Sequence, residues 1–92
     1  MFSPSQIRAA RALVGWSQSE VATAAGLSIP TVKRAEADDG IRVSEDALVA
    51  IASALKKAGV EFIAENGGGP GVRLRKPPRP IRPNEAVAKK ER

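Results

Sequence analysis

The sequence predicts a mainly α fold: four short helices, then a β-hairpin, then a basic, proline-rich tail. Three observations predict it. Ser3, Ser17, Ser28 and Ser44 each follow an apolar residue that has a second apolar residue five positions further on, the spacing of a hydrophobic staple. Gly15, Gly26 and Gly59 stand where three of the apolar-periodic runs must stop. After Gly59 the apolar period shifts from near 3.6 toward 2.

The first helix opens at Ser3-Pro4-Ser5-Gln6, with Ser as N-cap, Pro at the first helical position and Gln closing a capping box. Ile7, Ala10 and Val14 share its inner face, which Leu13 is expected to widen, and Arg11 lies on that face too. Ser17 and Glu20 box the second helix, whose inner residues are Val21, Ala22 and Ala25. Gly26 permits the sharp reversal into a third helix capped by Ser28. Ile29 precedes Pro30, and residues in that position are biased away from helical angles, so this helix is expected to start loosely. Val32 and Ala35 face inward. At about 100° per residue, Pro30 and Arg34 point away from the core, flanked by Thr31 and Lys33. Glu36 points inward beside Val32.

Asp38, Asp39 and Gly40 are turn residues in the loop that follows. The fourth helix runs from Glu45 to about Ala58, with acids in its first turn, Lys56 and Lys57 in its last, and a buried stripe of Leu48, Ile51, Ala52 and Leu55. The staple pairs are Phe2/Ile7, Trp16/Val21, Leu27/Val32 and Val43/Leu48, which accounts for the only Trp. Val60–Ile63 and Val72–Arg75 read as two strands joined by the Gly-rich, mobile connector AENGGGPG. No helix and no Lys-Ser/Thr pair follow that loop, so it is not a P-loop. Four prolines between Pro77 and Pro83 exclude helix and sheet there, leaving a disordered basic arm with the capacity to touch phosphates. The chain divides into helices (1–59), hairpin (60–75) and tail (76–92).

Ninety-two residues suit one small domain. Residues 1–75 carry nine Lys/Arg against eight Asp/Glu, and residues 76–92 carry six against two, together the net +5 of the chain. An anion-binding surface in the folded part must therefore be a local patch. With neither His nor Cys, the commonest catalytic bases and nucleophiles are missing, so an enzyme is not expected, and neither a metal nor another cofactor. The start lacks an apolar signal-peptide core and nothing approaches a membrane span. A cytoplasmic, nucleoid-associated protein is expected, with no membrane partner and no small-molecule ligand.

Gln18, Val21-Ala22, Gly26-Leu27-Ser28, Thr31-Val32, Arg34 and Glu36 resemble the lambda repressor and Cro helix-turn-helix family, also called the xenobiotic-response-element type. The resemblance spans about residues 5–58. It implies a four-helix, lambda-repressor-like domain that binds double-stranded DNA as a transcriptional regulator, with the third helix in the major groove. Three features depart from the family pattern: Pro30 at a frequent base-reading position, Ala35 for a larger apolar residue, and a strand pair in place of a fifth helix, which is more similar to the Cro arrangement.

On this reading Ile29, Pro30, Thr31, Lys33 and Arg34 contact bases: Arg34 through guanine O6 and N7, and the apolar residues through thymine methyls. Ser17, Gln18, Ser28 and Arg42 contact phosphates. Arg11 and Glu36, inward and opposite in charge, are expected to pair, as the resemblance also implies. A homodimer is expected through Val60, Phe62, Ile63, Val72 and Leu74, because a lone hairpin exposes its edges. The rival reading is a module of the same fold, such as an antitoxin or anti-regulator, acting through a protein partner. Salt separates the two, since binding to phosphates weakens steeply with it.

Overall fold

A computed structural model describes residues 2–39 and 42–75. Helices α1 (Pro4–Val14), α2 (Gln18–Ala25), α3 (Ile29–Glu36) and α4 (Glu45–Lys57) precede strands β1 (Val60–Ile63) and β2 (Gly71–Leu74). The expected Gly40 turn residue and the basic arm from Lys76 onward lie outside the described residues.

All four serines are N-caps, each with its side chain accepting from the backbone N–H three residues on. The capping boxes of α1 and α2 are complete: Gln6 Oε1 accepts from Ser3 N at 2.9 Å and Glu20 Oε1 from Ser17 N at 2.7 Å. Gly15 and Gly26 take the left-handed conformation, with φ of 72° and 71°. At Gly26 the reversal is a Schellman motif, with Leu27 N bonded to Ala22 O at 2.9 Å and Gly26 N to Thr23 O at 3.3 Å. Gly-Trp-Ser and Gly-Leu-Ser are thus two linkers of one design, each ending a helix and capping the next.

The core is Ile7, Ala10, Val21, Ala22, Val32, Ala35, Ile51, Leu55 and Val60, ringed by Phe2, Trp16, Leu27, Val43, Leu48, Phe62 and Val72. All eight staple residues therefore rest on it. Leu13, expected to widen the inner face of α1, is 42% exposed. It lies about 120° around the helix from Ile7, past the edge of the stripe. The start of α3 also differs from expectation. Ile29 is already helical, behind an intact Ser28 cap. The restriction before proline is a steric bias, and here Ser28 and the seating of Val32 outweigh it.

β1 and β2 pair antiparallel in the register Val60↔Leu74, Glu61↔Arg73, Phe62↔Val72 and Ile63↔Gly71. Within the connector the Glu65 carboxylate accepts from the N–H groups of Gly67 and Gly69 at 3.1 and 3.2 Å. The hairpin lies against α1 and α4 of its own chain. Three of the expected dimer anchors therefore also pack on the core of their own chain. Val60 is 1% exposed in the shared core, and Phe62 and Val72 pack against that core. The Phe62 ring also meets Phe2, with centroids 4.6 Å apart. The helical core offers a short two-stranded sheet the apolar surface that it otherwise lacks. Leu74 remains outside at 53% exposure.

Two polar contacts finish the hairpin. Gln6, itself buried, donates from Nε2 to the carbonyls of Ile63 at 3.3 Å and Gly71 at 3.1 Å. On the outer face Arg73 Nε meets Glu61 Oε1 at 2.7 Å. That hydrogen bond and the guanidinium charge hold the Glu61 carboxyl below its ordinary range. The pair's small contribution is therefore present above that range and is lost as pH falls through the lowered pKa.

Replacing Gln6 by Leu strands two hairpin carbonyls and opens the capping box. We expect a cost of about 1–3 kcal/mol, with amide exchange in β1 and β2 rising more than in α2. Equal protection of the hairpin in both proteins counts against this anchoring role.

Candidate nucleic-acid interface

The two-helix unit α2–α3 is held from behind by α1. Glu36, the last residue of α3, is 4% exposed and accepts three side-chain hydrogen bonds. Arg11 Nε reaches its Oε2 at 2.8 Å and Arg11 Nη2 its Oε1 at 3.1 Å, the forked pairing that guanidinium and carboxylate favour. Gln18 Nε2 reaches Oε1 at 3.1 Å. Arg11 also donates from Nη1 to Trp16 O at 3.0 Å, which fixes the α1–α2 linker. Arg8, one turn earlier, donates to the backbone carbonyl of Glu36 and pairs with Asp38 at 3.2 Å. Two arginines of α1 therefore clamp the end of α3, one through its side chain and one through its final carbonyl. The sequence reading singled out Arg11 and Glu36 but missed Arg8. Its signal was the i, i+3 spacing to Arg11, which places both cations along one side of α1.

The outward face of α3 carries Ile29, Pro30, Lys33 and Arg34, all exposed, with Thr31 half-buried. Arg42 is exposed on the loop after α3, and Arg34 and Arg42 border one shallow hollow of about 160 Å³ floored by Ala35, Ala37 and Val43. The small Ala35 leaves room for it. Arg34 and Arg42 thus lie together, and the start of α2 is tied to the end of α3 through Gln18 and Glu36.

The phosphate candidates are less free than the sequence suggests. Ser17 Oγ accepts from Glu20 N at 3.0 Å. Ser28 Oγ accepts from Thr31 N at 3.2 Å and lies 2.9 Å from Thr31 Oγ1. One N–H of the Gln18 amide is engaged by Glu36. The hairpin candidates form a separate surface, on the α1–α4 side.

Among the described residues, no group of His, Cys, Asp or Glu is placed to hold a metal ion, and no helix is long and apolar enough to cross a membrane.

A short helix, a Schellman turn and a second helix with a basic outer face define a DNA-binding helix-turn-helix domain of the regulator class. The helix-turn-helix family model matches residues 7–62, more than half of the chain. The chain belongs to this family of lambda-repressor-like DNA-binding regulators, which are not typically enzymes. No curated protein matches it.

The ion pair has a measurable consequence. Arg11→Ala leaves a buried carboxylate with Gln18 as its only remaining side-chain donor among the described residues, and we expect a loss of about 3 kcal/mol. Chemical denaturation measures it; a midpoint unchanged from the unsubstituted protein contradicts the assignment.

Proposed function

We propose that this chain is a sequence-specific transcriptional regulator, a repressor that acts by occluding a promoter and controls its own gene among its targets. The observation that carries this reading is the basic outer face of α3, presented by a helix whose far end is fixed to α1. Arg34 reads a guanine through O6 and N7, Lys33 reads a neighbouring base or phosphate, and Thr31, Ile29 and Pro30 meet thymine methyls. Arg42 and the first turn of α2, with Ser17 and Gln18, hold phosphates on either side, and Ser28 does so at the start of α3. A protein acting in this way works in the cytoplasm, on the nucleoid.

One recognition helix reads too few base pairs for a useful specificity ratio in a genome. We therefore infer a two-fold homodimer on a pseudo-palindrome, with half-sites about 10 bp apart. What supports the hairpin as its contact is the end of β2, where Leu74, on the same sheet face as Val72 and Val60, is left exposed. Ile63 lies at the opposite end of β1 and serves only at the rim. Truncation before β1 would remove Val60 from the core, so a point substitution is the cleaner test. Leu74→Glu should sediment as a monomer with a nearly unchanged melt; persistence of the dimer removes Leu74 from the interface.

A second reading, a module that acts through a protein partner, has one observation on its side. An apolar groove of about 430 Å³ lies between Phe2, Val49, Phe62, Ile63 and Pro70. Titration of duplex DNA across salt concentrations separates the two. The DNA reading expects log affinity to fall linearly with log salt.

Arg34→Ala should cost about 1–3 kcal/mol on the selected operator and relax one base position. Its melt should not move, because the side chain is exposed. Selection of binding sites from random duplexes by both proteins checks it; identical logos refute the readout assigned to Arg34.

A further inference from the structure

We propose that the apolar groove beside Phe62 is a docking site for this chain's own residues 76–83, taken up in polyproline form. The proposal is independent of the DNA-binding reading. Residues from Lys76 onward lie outside the described residues, but their sequence runs in threes: Lys76-Pro77-Pro78, Arg79-Pro80-Ile81, Arg82-Pro83-Asn84. Each triplet is a cation, a proline and a third residue. Polyproline II has three residues per turn and no internal hydrogen bonds. In that form the triplets lay out three edges. Lys76, Arg79 and Arg82 share one, Pro77, Pro80 and Pro83 the second, and Pro78 and Ile81 the third. Two neighbouring edges are thus apolar and the remaining one is cationic. A tail that only keeps the protein in solution has no need of such a period.

The groove complements those edges. Its volume is about 430 Å³, and Phe2, Val49, Phe62, Ile63, Pro70 and Glu65 border it. The two phenyl rings lie 4.6 Å apart at 53°, and grooves lined by aromatic rings are what proline-rich segments recognise. Val49 is 52% exposed. Glu65 brings the matching charge. Its Oε2 is held by the N–H groups of Gly67 and Gly69, while Oε1 makes no hydrogen bond among the described residues. No described Lys or Arg pairs with it either. A guanidinium of the cationic edge supplies that partner.

The chain also leaves the described fold beside this groove. A second hollow, of about 160 Å³, lies between Lys56, Val60, Glu61, Phe62 and Arg75. Phe62 therefore borders both hollows, and Arg75 is the last described residue. Its N–H donates to Gly59 O at 2.8 Å, and its guanidinium donates to the Lys56 carbonyl at the end of α4. The exit is thus fixed next to β1. From Val60 to Ile63 is about 10 Å along the strand, and eight residues of polyproline II span about 25 Å, so residues 76–83 reach the groove with length to spare. Among the described residues β1 pairs with one strand only. A proline-bearing segment laid along its other side covers that edge without extending the sheet, because proline has no N–H to give a ladder. A segment tethered this close also has an effective concentration in the millimolar range, which favours it over an untethered protein partner in the same groove.

Paramagnetic broadening in the full chain tests it. The sequence has no cysteine, so Asn84→Cys provides a single thiol for a nitroxide just past the last proline. In the protein without DNA, the amide signals of Val49, Ile63 and Ala64 should lose most of their intensity and regain it when the nitroxide is reduced. Those of Thr23 and Ala24, exposed on α2, should keep theirs. Pro77→Ser, Pro80→Ser and Pro83→Ser together in the same labelled chain should abolish the selective loss. A mixture of labelled chain with unlabelled, isotope-enriched chain should show none, because the segment docks on its own molecule. Selective loss in the mixture assigns the groove to a second copy and overturns the proposal. Uniform loss, no loss, or an undiminished loss in the serine variant overturns it too. Selective loss that arises only after duplex DNA is added makes the segment a DNA-binding arm and also overturns it.

Discussion

Glu36 sits at the end of α3 with only 4% of its surface exposed, and a lone charge in such a place costs several kcal/mol. The surrounding chain is arranged to answer that charge. Arg11 comes from α1, Gln18 from the first turn of α2, and Arg8 closes on the carbonyl of the same residue. Three helices thus meet at one carboxylate, and the bonds they make are directional. An apolar contact of the same volume would hold the helices at least as tightly, since buried ion pairs seldom outperform hydrophobic replacements. What the forked pair adds is a fixed angle and register: α3 cannot rotate about its axis or slide along α1 without breaking it.

The apolar core alone would not impose that angle. Of the nine residues at its centre three are small alanines, Ala10, Ala22 and Ala35, and α2 and α3 each span only eight residues. Helices of two turns are unstable in isolation. Their ends are therefore defined by local chemistry: serine caps at the starts, and Gly15 and Gly26 in left-handed conformation at the ends of α1 and α2. Trp16 and Leu27 each close one helix and staple the next, so the linkers have no slack. The second short helix then inherits its direction from the first, and Glu36 fixes the far end.

Legibility in the sequence followed the range of each interaction. The caps, boxes and glycine stops at Ser3, Ser17, Gly15 and Gly26 involve residues within five positions, and they could be read directly. The Arg11–Glu36 pairing needed only the two helical phases and the cost of a buried charge. Arg8 was missed because its spacing to Arg11 gives the side of α1 it lies on but not its partner, a backbone carbonyl. Ile29 was misjudged because the bias before proline is local, whereas its helical state also rests on the seating of Val32. The hairpin was recognised as such, but the side it would choose depends on which apolar surface the helices leave open. Val60 and the Gln6 amide answer that only once α1 and α4 are placed. The division of the candidate interface is similar. The outward phase of Lys33 and Arg34 follows from helical geometry, but the engagement of Gln18 by Glu36 does not.

These contacts separate the residues that hold α3 from those that face away from the protein. Val32, Ala35 and Glu36 are buried, and Pro30, Lys33 and Arg34 are exposed. On an eight-residue helix, a substitution on the outer face changes little in the packing, so outer residues can vary while the scaffold is retained. The inner face has less freedom, because Val32 and Ala35 are buried in the core and Glu36 has its donors in place. Gln18 is the exception to this separation. It is half-buried, bonded inward to the clamp, and located at the edge where α2 opens. Its amide ties the opening of α2 to the carboxylate that ends α3.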